Sequence, residues 1–300
     1  MAAIDWRGVY PALTTQFFPD QSLDLQGTAR HLERLIAEGI HGVIMLGTVG
    51  ENTALEYAEK LDVLRMAVDT AKKRIPVLSG VAECSTRLAC RFSADAEALG
   101  LDGVMVLPGM VYKSDPRETI VHFRTVARAS GLPVMCYNNP VSYGVDITPP
   151  MFAELADEPT LVAIKESSDN PRRITDLINE LGDRYVIFSG VDDLVMECAL
   201  LGAVGWVSGL VNAFPRENRI LWELLEAGKH AEALALYRWY MPLLHLDTKP
   251  KLVQYIKLAM AEVGLGAEMV RAPKLPIEGA EREEVLGIIR KAIAARPTFA

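Results

Sequence analysis

The sequence predicts a closed (β/α)8 barrel. Eight short apolar runs recur along the 300 residues, each ending in a cluster of Gly, Pro, Ser or Asn and leading into a segment of helix length. Several of those runs (VIML, VMVL, VMCY, LVAI and YVIF) are nearly continuous rather than alternating. Continuous runs suit parallel strands that are packed on one face by the barrel interior and on the other by helices. The order of the two kinds of segment, strand then helix eight times over, points to closure rather than to separate layers. A doubly wound open sheet is the other fold that suits this order, because strand count alone does not show closure.

In chain order the strands are read at Gly8–Thr14, Gly42–Leu46, Pro76–Val81, Gly103–Leu107, Pro133–Tyr137, Leu161–Glu166, Tyr185–Ser189 and Gly205–Ser208. Between them, Leu25–Glu38 follows Asp24 and gathers Leu32, Leu35 and Ile36 on one helical face. Leu55–Ala71 repeats apolar residues at Leu55, Ala58, Leu61, Leu64, Ala67 and Val68. Ser85–Leu99 and Pro116–Ser130 stop before Gly100 and Gly131, the usual place for a left-handed C-terminal cap. Beyond the eighth strand the pattern becomes purely helical, at Ala213–Ala227, Glu232–Leu244, Pro250–Val263 and Glu281–Ala295. Residues 1–212 are therefore expected to form the barrel, with 213–300 packed on it in the same structural unit.

Composition excludes several classes of function. A net charge of −8 with no basic run disfavours nucleic acid or an anionic membrane as partner. No stretch of 18 apolar residues is present, and the charged start, with Asp5 and Arg7, lacks a signal-peptide core. Cys84, Cys90, Cys136 and Cys198 form no CxxC pair and suit reduced thiols, so the expected setting is cytoplasmic. The five histidines have no ligand spacing, so no metal site is expected. GxSxG and Walker-type loops are absent, which removes serine hydrolases and P-loop enzymes.

In a barrel of this kind the chemistry sits at the C-terminal ends of the strands. The sixth strand closes on Lys165 after four apolar residues. Burial disfavours an ammonium ion and turns a lysine into a usable nucleophile. The competing reading is a strand-end lysine that reaches solvent or pairs with Glu166. The second strand leads into Gly47-Thr48-Val49-Gly50-Glu51, where backbone N–H groups and a hydroxyl can converge on an anion, or simply make a tight turn. Tyr137, at the end of the fifth strand in Tyr137-Asn138-Asn139-Pro140, is a proton shuttle or a packed phenol. Gly190 and the Val207-Ser208-Gly209 segment admit a ligand close to the backbone or serve as turns.

Taken together, GTVGE (47–51), YNNP (137–140) and IKES (164–167) in that order make the chain resemble the dihydrodipicolinate synthase/N-acetylneuraminate lyase family of Schiff-base aldolases. The resemblance spans nearly the whole chain. It implies that Lys165 condenses with the carbonyl carbon of a pyruvate-like 2-oxo acid, and that Tyr137 shuttles protons. Thr48, with the backbone of Thr48 and Val49 and the flanking Gly47 and Gly50, would hold the substrate carboxylate and take part in the relay to Tyr137. No cofactor beyond the covalent lysine imine is implied, and family members often assemble as homotetramers.

Departures from the family pattern bear on substrate. The lysine-pathway enzyme, 4-hydroxy-tetrahydrodipicolinate synthase, usually has a second hydroxyl residue where Val49 stands. It also has an arginine for a second carboxylate where this chain has Ser142. Loss of a bidentate arginine weakens recognition of a dicarboxylate partner. The tyrosine-rich loop after the fourth strand is replaced by Pro108–Tyr112, so a tyrosine lent by a neighbouring subunit is absent or shifted to Tyr112. Within the family, GTVGEN with YNNPVSYGVD looks most like the hydroxyproline-degradation branch, whose members deaminate Δ1-pyrroline-4-hydroxy-2-carboxylate to 2-oxoglutarate semialdehyde. Asn139, Ser142, Tyr143 and Ser208 are then expected near the variable end of the substrate. The alternatives are the synthase, another 2-oxo acid aldolase, or a non-catalytic oxo-acid-binding barrel.

Overall fold

The continuous apolar runs become parallel strands and the amphipathic segments become the helices that cover them. In the computed structural model, which describes residues 4–298, the strands are β1 (Gly8–Pro11), β2 (Val43–Met45), β3 (Val77–Val81), β4 (Gly103–Val106), β5 (Val134–Asn138), β6 (Leu161–Glu166), β7 (Val186–Ser189) and β8 (Gly205–Ser208). Residues 1–3, the start of the charged N-terminal segment, lie outside the described range. The order around the sheet is β1-β8-β7-β6-β5-β4-β3-β2, all neighbours parallel. Its two ends meet: Ala12 bridges Ile44, His41 N donates to Val9 O at 3.0 Å, and Leu13 N donates to Ile44 O at 3.0 Å. That closure makes the sheet a (β/α)8 barrel and removes the open-sheet alternative.

The helices are α1 (Leu25–Ala37), α2 (Tyr57–Ala71), α3 (Thr86–Ala98), α4 (Pro116–Ala127), α5 (Pro140–Tyr143), α6 (Pro149–Glu154), α7 (Arg172–Leu181), α8 (Val195–Leu200), α9 (Pro215–Glu226), α10 (His230–Leu244), α11 (Leu252–Glu262) and α12 (Gly279–Ala294). Asp24 caps α1 by accepting Gly27 N at 2.6 Å. Several boundaries differ from the sequence reading, β1 ending at Pro11 rather than Thr14 among them, and two differ for clear local reasons. Leu55 does not open α2, because Asn52–Ala54 forms a separate 3₁₀ turn and a Glu56/Glu59 capping box starts the helix afresh. Gly100 takes the left-handed backbone expected of a cap (φ +83°), but Gly131 does not. Helix α4 stops earlier, at Ala127, and Gly131 N donates instead to Glu97 Oε1 at 3.1 Å.

Helices α9 to α12 supply the long C-terminal segment. Helix α9 packs on β1, and α11 lies against the 3₁₀ turn Leu210–Asn212 that follows β8. Two residues from this segment, Asp247 and Lys257, reach the loops at the C-terminal end of the barrel, where they meet the site described next.

Candidate active site

Lys165 lies in β6 between Tyr137 of β5 and Phe188 of β7, its register partners. It is 6% exposed, and its Nζ sits 4.0 Å from the centre of the Tyr137 ring. No carboxylate lies within ion-pair distance of it among the described residues. Desolvation lowers its pKa, opposed only partly by Tyr143, Asp247 and Asp192. Glu166 is not its partner: successive strand residues face opposite ways, and Glu166 accepts instead from Asn138 Nδ2 at 3.0 Å and Ser168 N at 2.7 Å. Gly190 gives the lysine its room. A Cβ there would lie 2.7 Å from Lys165 Cε and 2.1 Å from Ser167 Oγ.

The YNNP sequence has a local logic. Asn139 Oδ1 accepts from Ser142 N at 2.9 Å and so caps α5, with Pro140 at its first position. The same side chain donates from Nδ2 to Tyr137 Oη at 3.0 Å. One asparagine thus fixes both the phenol and the turn that carries Tyr143. The Tyr137 and Tyr143 rings meet edge to face at 5.7 Å. Tyr143 Oη in turn bonds Thr48 Oγ1. Burial raises the pKa of both phenols, so both hold their protons at neutral pH. Tyr143 therefore stands between Tyr137 and Thr48 rather than apart from them.

Across the mouth, the Gly47–Glu51 loop is flanked by Leu46 and Glu51, two non-glycine residues in left-handed backbone (φ 54° and 55°). Such conformations persist only where surroundings impose them. Thr15 Oγ1 holds Gly50 O at 2.7 Å, and Asn52 Nδ2 holds Leu46 O at 2.9 Å. A Cβ at Gly50 would press on Leu13 O at 2.9 Å. Beneath the loop, Lys257 Nζ of α11 meets Glu51 Oε1 at 2.7 Å, both side chains fully buried, and Glu51 Oε2 accepts Arg271 N at 3.1 Å. The N–H groups of Thr48 and Val49 are bonded to no protein acceptor among the described residues, so an oxyanion has two donors and the Thr48 hydroxyl available.

The remaining expected residues divide. Asn139, Tyr143, Val49 and Gly190 border Lys165, Tyr137 or Thr48, whereas Ser142 is exposed on α5. Ser208 is fully buried and its hydroxyl is already engaged by Asp192 Oδ2 (3.0 Å), Val211 N (3.1 Å) and Asn218 Nδ2 (2.8 Å). It holds the β7 and β8 ends together, and Val207 is buried beside it. The Ser208 hydroxyl, so engaged, is not placed to grip the variable end of a substrate. Tyr112 is 62% exposed and donates to Glu118 of α4, so within the chain it does not reach Tyr137.

Two acids belong here that the sequence reading passed over. Asp192 accepts from Trp206 Nε1, Ser208 Oγ and Leu210 N. Asp247, on the 3₁₀ turn His245–Thr248, packs its carboxyl against Gly209 and hydrogen-bonds Asp192, with its Oδ1 buried. Burial and mutual repulsion raise the pKa of Asp247 well above the carboxylate range, so the pair shares a proton. The Asp-Asp at 192–193 after a strand is a visible signal; for Asp247, in the short break between two helical segments, there is none. Among the described residues no cluster of His, Cys, Asp and Glu suits a metal ion, and no helix is long and apolar enough to cross a membrane.

Comparison with known proteins fits this geometry. The family model described as "Dihydrodipicolinate synthetase family" matches residues 5–292. The 4-hydroxy-tetrahydrodipicolinate synthase of Sorangium cellulosum is 34% identical over 99% of both chains. Among solved structures, the 4-hydroxy-tetrahydrodipicolinate synthase of Methylacidiphilum fumariolicum SolV superposes with a TM-score of 0.90 at 30% identity, covering 96% of this chain and 97% of the other. A prophage protein of the dihydrodipicolinic acid synthase family from E. coli K12, solved in complex with pyruvate, gives a TM-score of 0.90 at 27% identity over 96% and 99%.

Proposed function

The chain belongs to the dihydrodipicolinate synthetase family, and from that premise we propose that Lys165 is the residue on which it builds a substrate imine. Enzymes of this family are lyases that work through a covalent lysine Schiff base and need no external cofactor. The observation that carries the assignment is Lys165 itself: 6% exposed, free of any carboxylate partner, and stacked on the Tyr137 ring. A lysine in that setting is poised to be a neutral amine, the form that attacks a carbonyl.

The substrate carboxylate is held by the N–H groups of Thr48 and Val49. That clamp fixes the 2-oxo acid so that its carbonyl carbon meets Lys165 Nζ. The amine adds to that carbon, and Tyr137 delivers protons to the departing oxygen. The protonated imine then withdraws electrons and eases proton loss at C3.

For the substrate, the reading favoured by the site is Δ1-pyrroline-4-hydroxy-2-carboxylate, deaminated to 2-oxoglutarate semialdehyde. Lys165 attacks the ring imine at C2 and opens the ring, C3 loses a proton, the C4 hydroxyl departs as water, and hydrolysis frees the product with ammonia. Its support is the lack of any arginine on α5: Ser142 stands where a second carboxylate would need one, while the hydroxyls of Tyr143 and Tyr137 line that side. The names of the relatives favour a second reading, condensation of pyruvate with aspartate semialdehyde, as in a 4-hydroxy-tetrahydrodipicolinate synthase. A cytoplasmic homotetramer, with the C-terminal helices part of the same unit as the barrel, completes the proposal.

Borohydride reduction in the presence of pyruvate should add one pyruvate-derived mass at Lys165; an unmodified Lys165 would refute the assignment. Ammonia release from the hydroxypyrroline carboxylate, assayed beside condensation with aspartate semialdehyde, separates the two substrate readings.

A further inference from the structure

Backbone N–H groups bind a carboxylate well only if they are aimed before it arrives. Those of Thr48 and Val49 lie in a loop whose backbone turns left-handed at Leu46 and again at Glu51 (φ 54° and 55°). Left to themselves, neither leucine nor glutamate favours that conformation. At Glu51 the hold comes from beyond the barrel. Its side chain is fully buried, with Oε1 on Lys257 Nζ of α11 at 2.7 Å and Oε2 on the backbone N–H of Arg271 at 3.1 Å. Those partners are anchored in turn. Lys257 Nζ also donates to Met269 O at 2.7 Å and lies 4.5 Å from the centre of the Phe17 ring. The Arg271 guanidinium lies 4.6 Å from the same ring and donates to Gln21 O at 2.7 Å and to Glu59 at 2.6 Å. This C-terminal stretch therefore ties together the segments that follow β1 and β2, and Glu51 is where they meet. A lysine and a glutamate at zero exposure cost desolvation that packed apolar residues would avoid, so stability alone is a poor reason for the pair.

We propose that Glu51 and Lys257 are positioning residues for substrate recognition: their ion pair fixes the turn that aims the Thr48 and Val49 N–H groups at the carboxylate of the 2-oxo acid. Affinity for that carboxylate is then set from the C-terminal segment, 206 positions away in sequence. Neither side chain touches substrate in this role; each acts through the loop. The role rests on the reading of the loop as the carboxylate clamp, whichever 2-oxo acid is the natural substrate.

The test compares calorimetric binding of pyruvate with that of pyruvamide, which keeps the ketone and lacks the carboxylate. The ratio of the two dissociation constants reads the clamp rather than the fold. In Glu51→Gln and in Lys257→Met the constant for pyruvate should rise about 10- to 100-fold, while that for pyruvamide changes little. Borohydride labelling at saturating pyruvate should stay within a few-fold of wild type. A bare charge effect has opposite signs in the two variants, because one loses an anion and the other a cation. Tighter pyruvate binding in either variant therefore overturns the positioning role. Should a single variant fail to fold, Glu51→Gln/Lys257→Met removes both buried charges together and should show the same loss of discrimination. Wild-type discrimination in the folded double variant overturns the role and leaves the pair purely structural. A wild-type protein that binds pyruvamide as tightly as pyruvate overturns the clamp and this role with it. One that discriminates between them but never labels overturns only the assignment of Lys165.

Discussion

Lys165 and Lys257, two of the three lysines buried among the described residues, are opposites. Lys165 lies one residue from the end of β6, over the face of Tyr137, with no carboxylate at ion-pair distance among the described residues. Lys257 lies on α11, fully enclosed, and binds Glu51 at 2.7 Å and Met269 O at 2.7 Å. Burial pulls the pKa of both down, but Glu51 opposes the shift at Lys257 and leaves it at about 8. Pairing spends the charge of Lys257 on structure: it braces the strained Gly47–Glu51 loop from below. Lack of a partner leaves Lys165 available for chemistry. A buried cation with a partner is a brace, and one without is a reagent.

The widest gap between them should appear on substitution. Lys165→Met should lower turnover by on the order of 10⁴ or more and abolish borohydride trapping, yet leave stability equal or higher in denaturant unfolding, since a thioether replaces an amine that burial disfavours. A clear loss of stability would show that Lys165 has a structural partner after all. Next in size, Glu51→Gln strands the Lys257 ammonium and should cost about 3–5 kcal/mol in urea unfolding. Adding Lys257→Met to it should recover most of that loss. No recovery would mean that Glu51 braces the loop through Arg271 instead.

A subtler separation lies in pH. Folded Lys257 gives up its proton near pH 8, while the unfolded chain holds it until about 10.4. Between those values the unfolded state binds more protons, so stability contributed at this site rises with pH. The wild type should therefore gain on the Lys257→Met/Glu51→Gln double variant between pH 8 and 10, and a flat difference would contradict the depressed pKa. The smallest effect is expected at Ser208. Ser208→Ala should cost about 1–2 kcal/mol, from donors and acceptors left unpaired around Asp192, with KM unchanged. A large rise in KM would return Ser208 to the substrate.

How far these features were legible follows the distance over which each is decided. Leu161–Glu166 and Gly205–Ser208 were read at their observed limits, because an apolar run bounded by turn residues is a local signal. Lys165 and Tyr137 were equally legible: each closes such a run, and barrel topology alone sends them to the same rim. Tyr143 was expected at the site, yet nothing in YNNPVSYG says that the α5 turn swings its phenol onto Thr48, 95 residues earlier. Gly131 looked like a cap and is not one, because Glu97 of α3 captures its N–H.

By itself the sequence determined the strand and helix alternation, while closure into a barrel was decided by the contacts that join β1 to β2. It determined as well which residues stand at strand ends, since periodicity and turn chemistry act over a few neighbours. Only the tertiary structure decided which of those residues meet. Asp247 reaches Asp192 over a sequence separation of 55 and Lys257 reaches Glu51 over one of 206. Asp247 and Lys257 are written as unremarkable charges in the segment beyond the barrel. Their meaning comes from desolvation, and desolvation belongs to the packed chain, not to any segment of it.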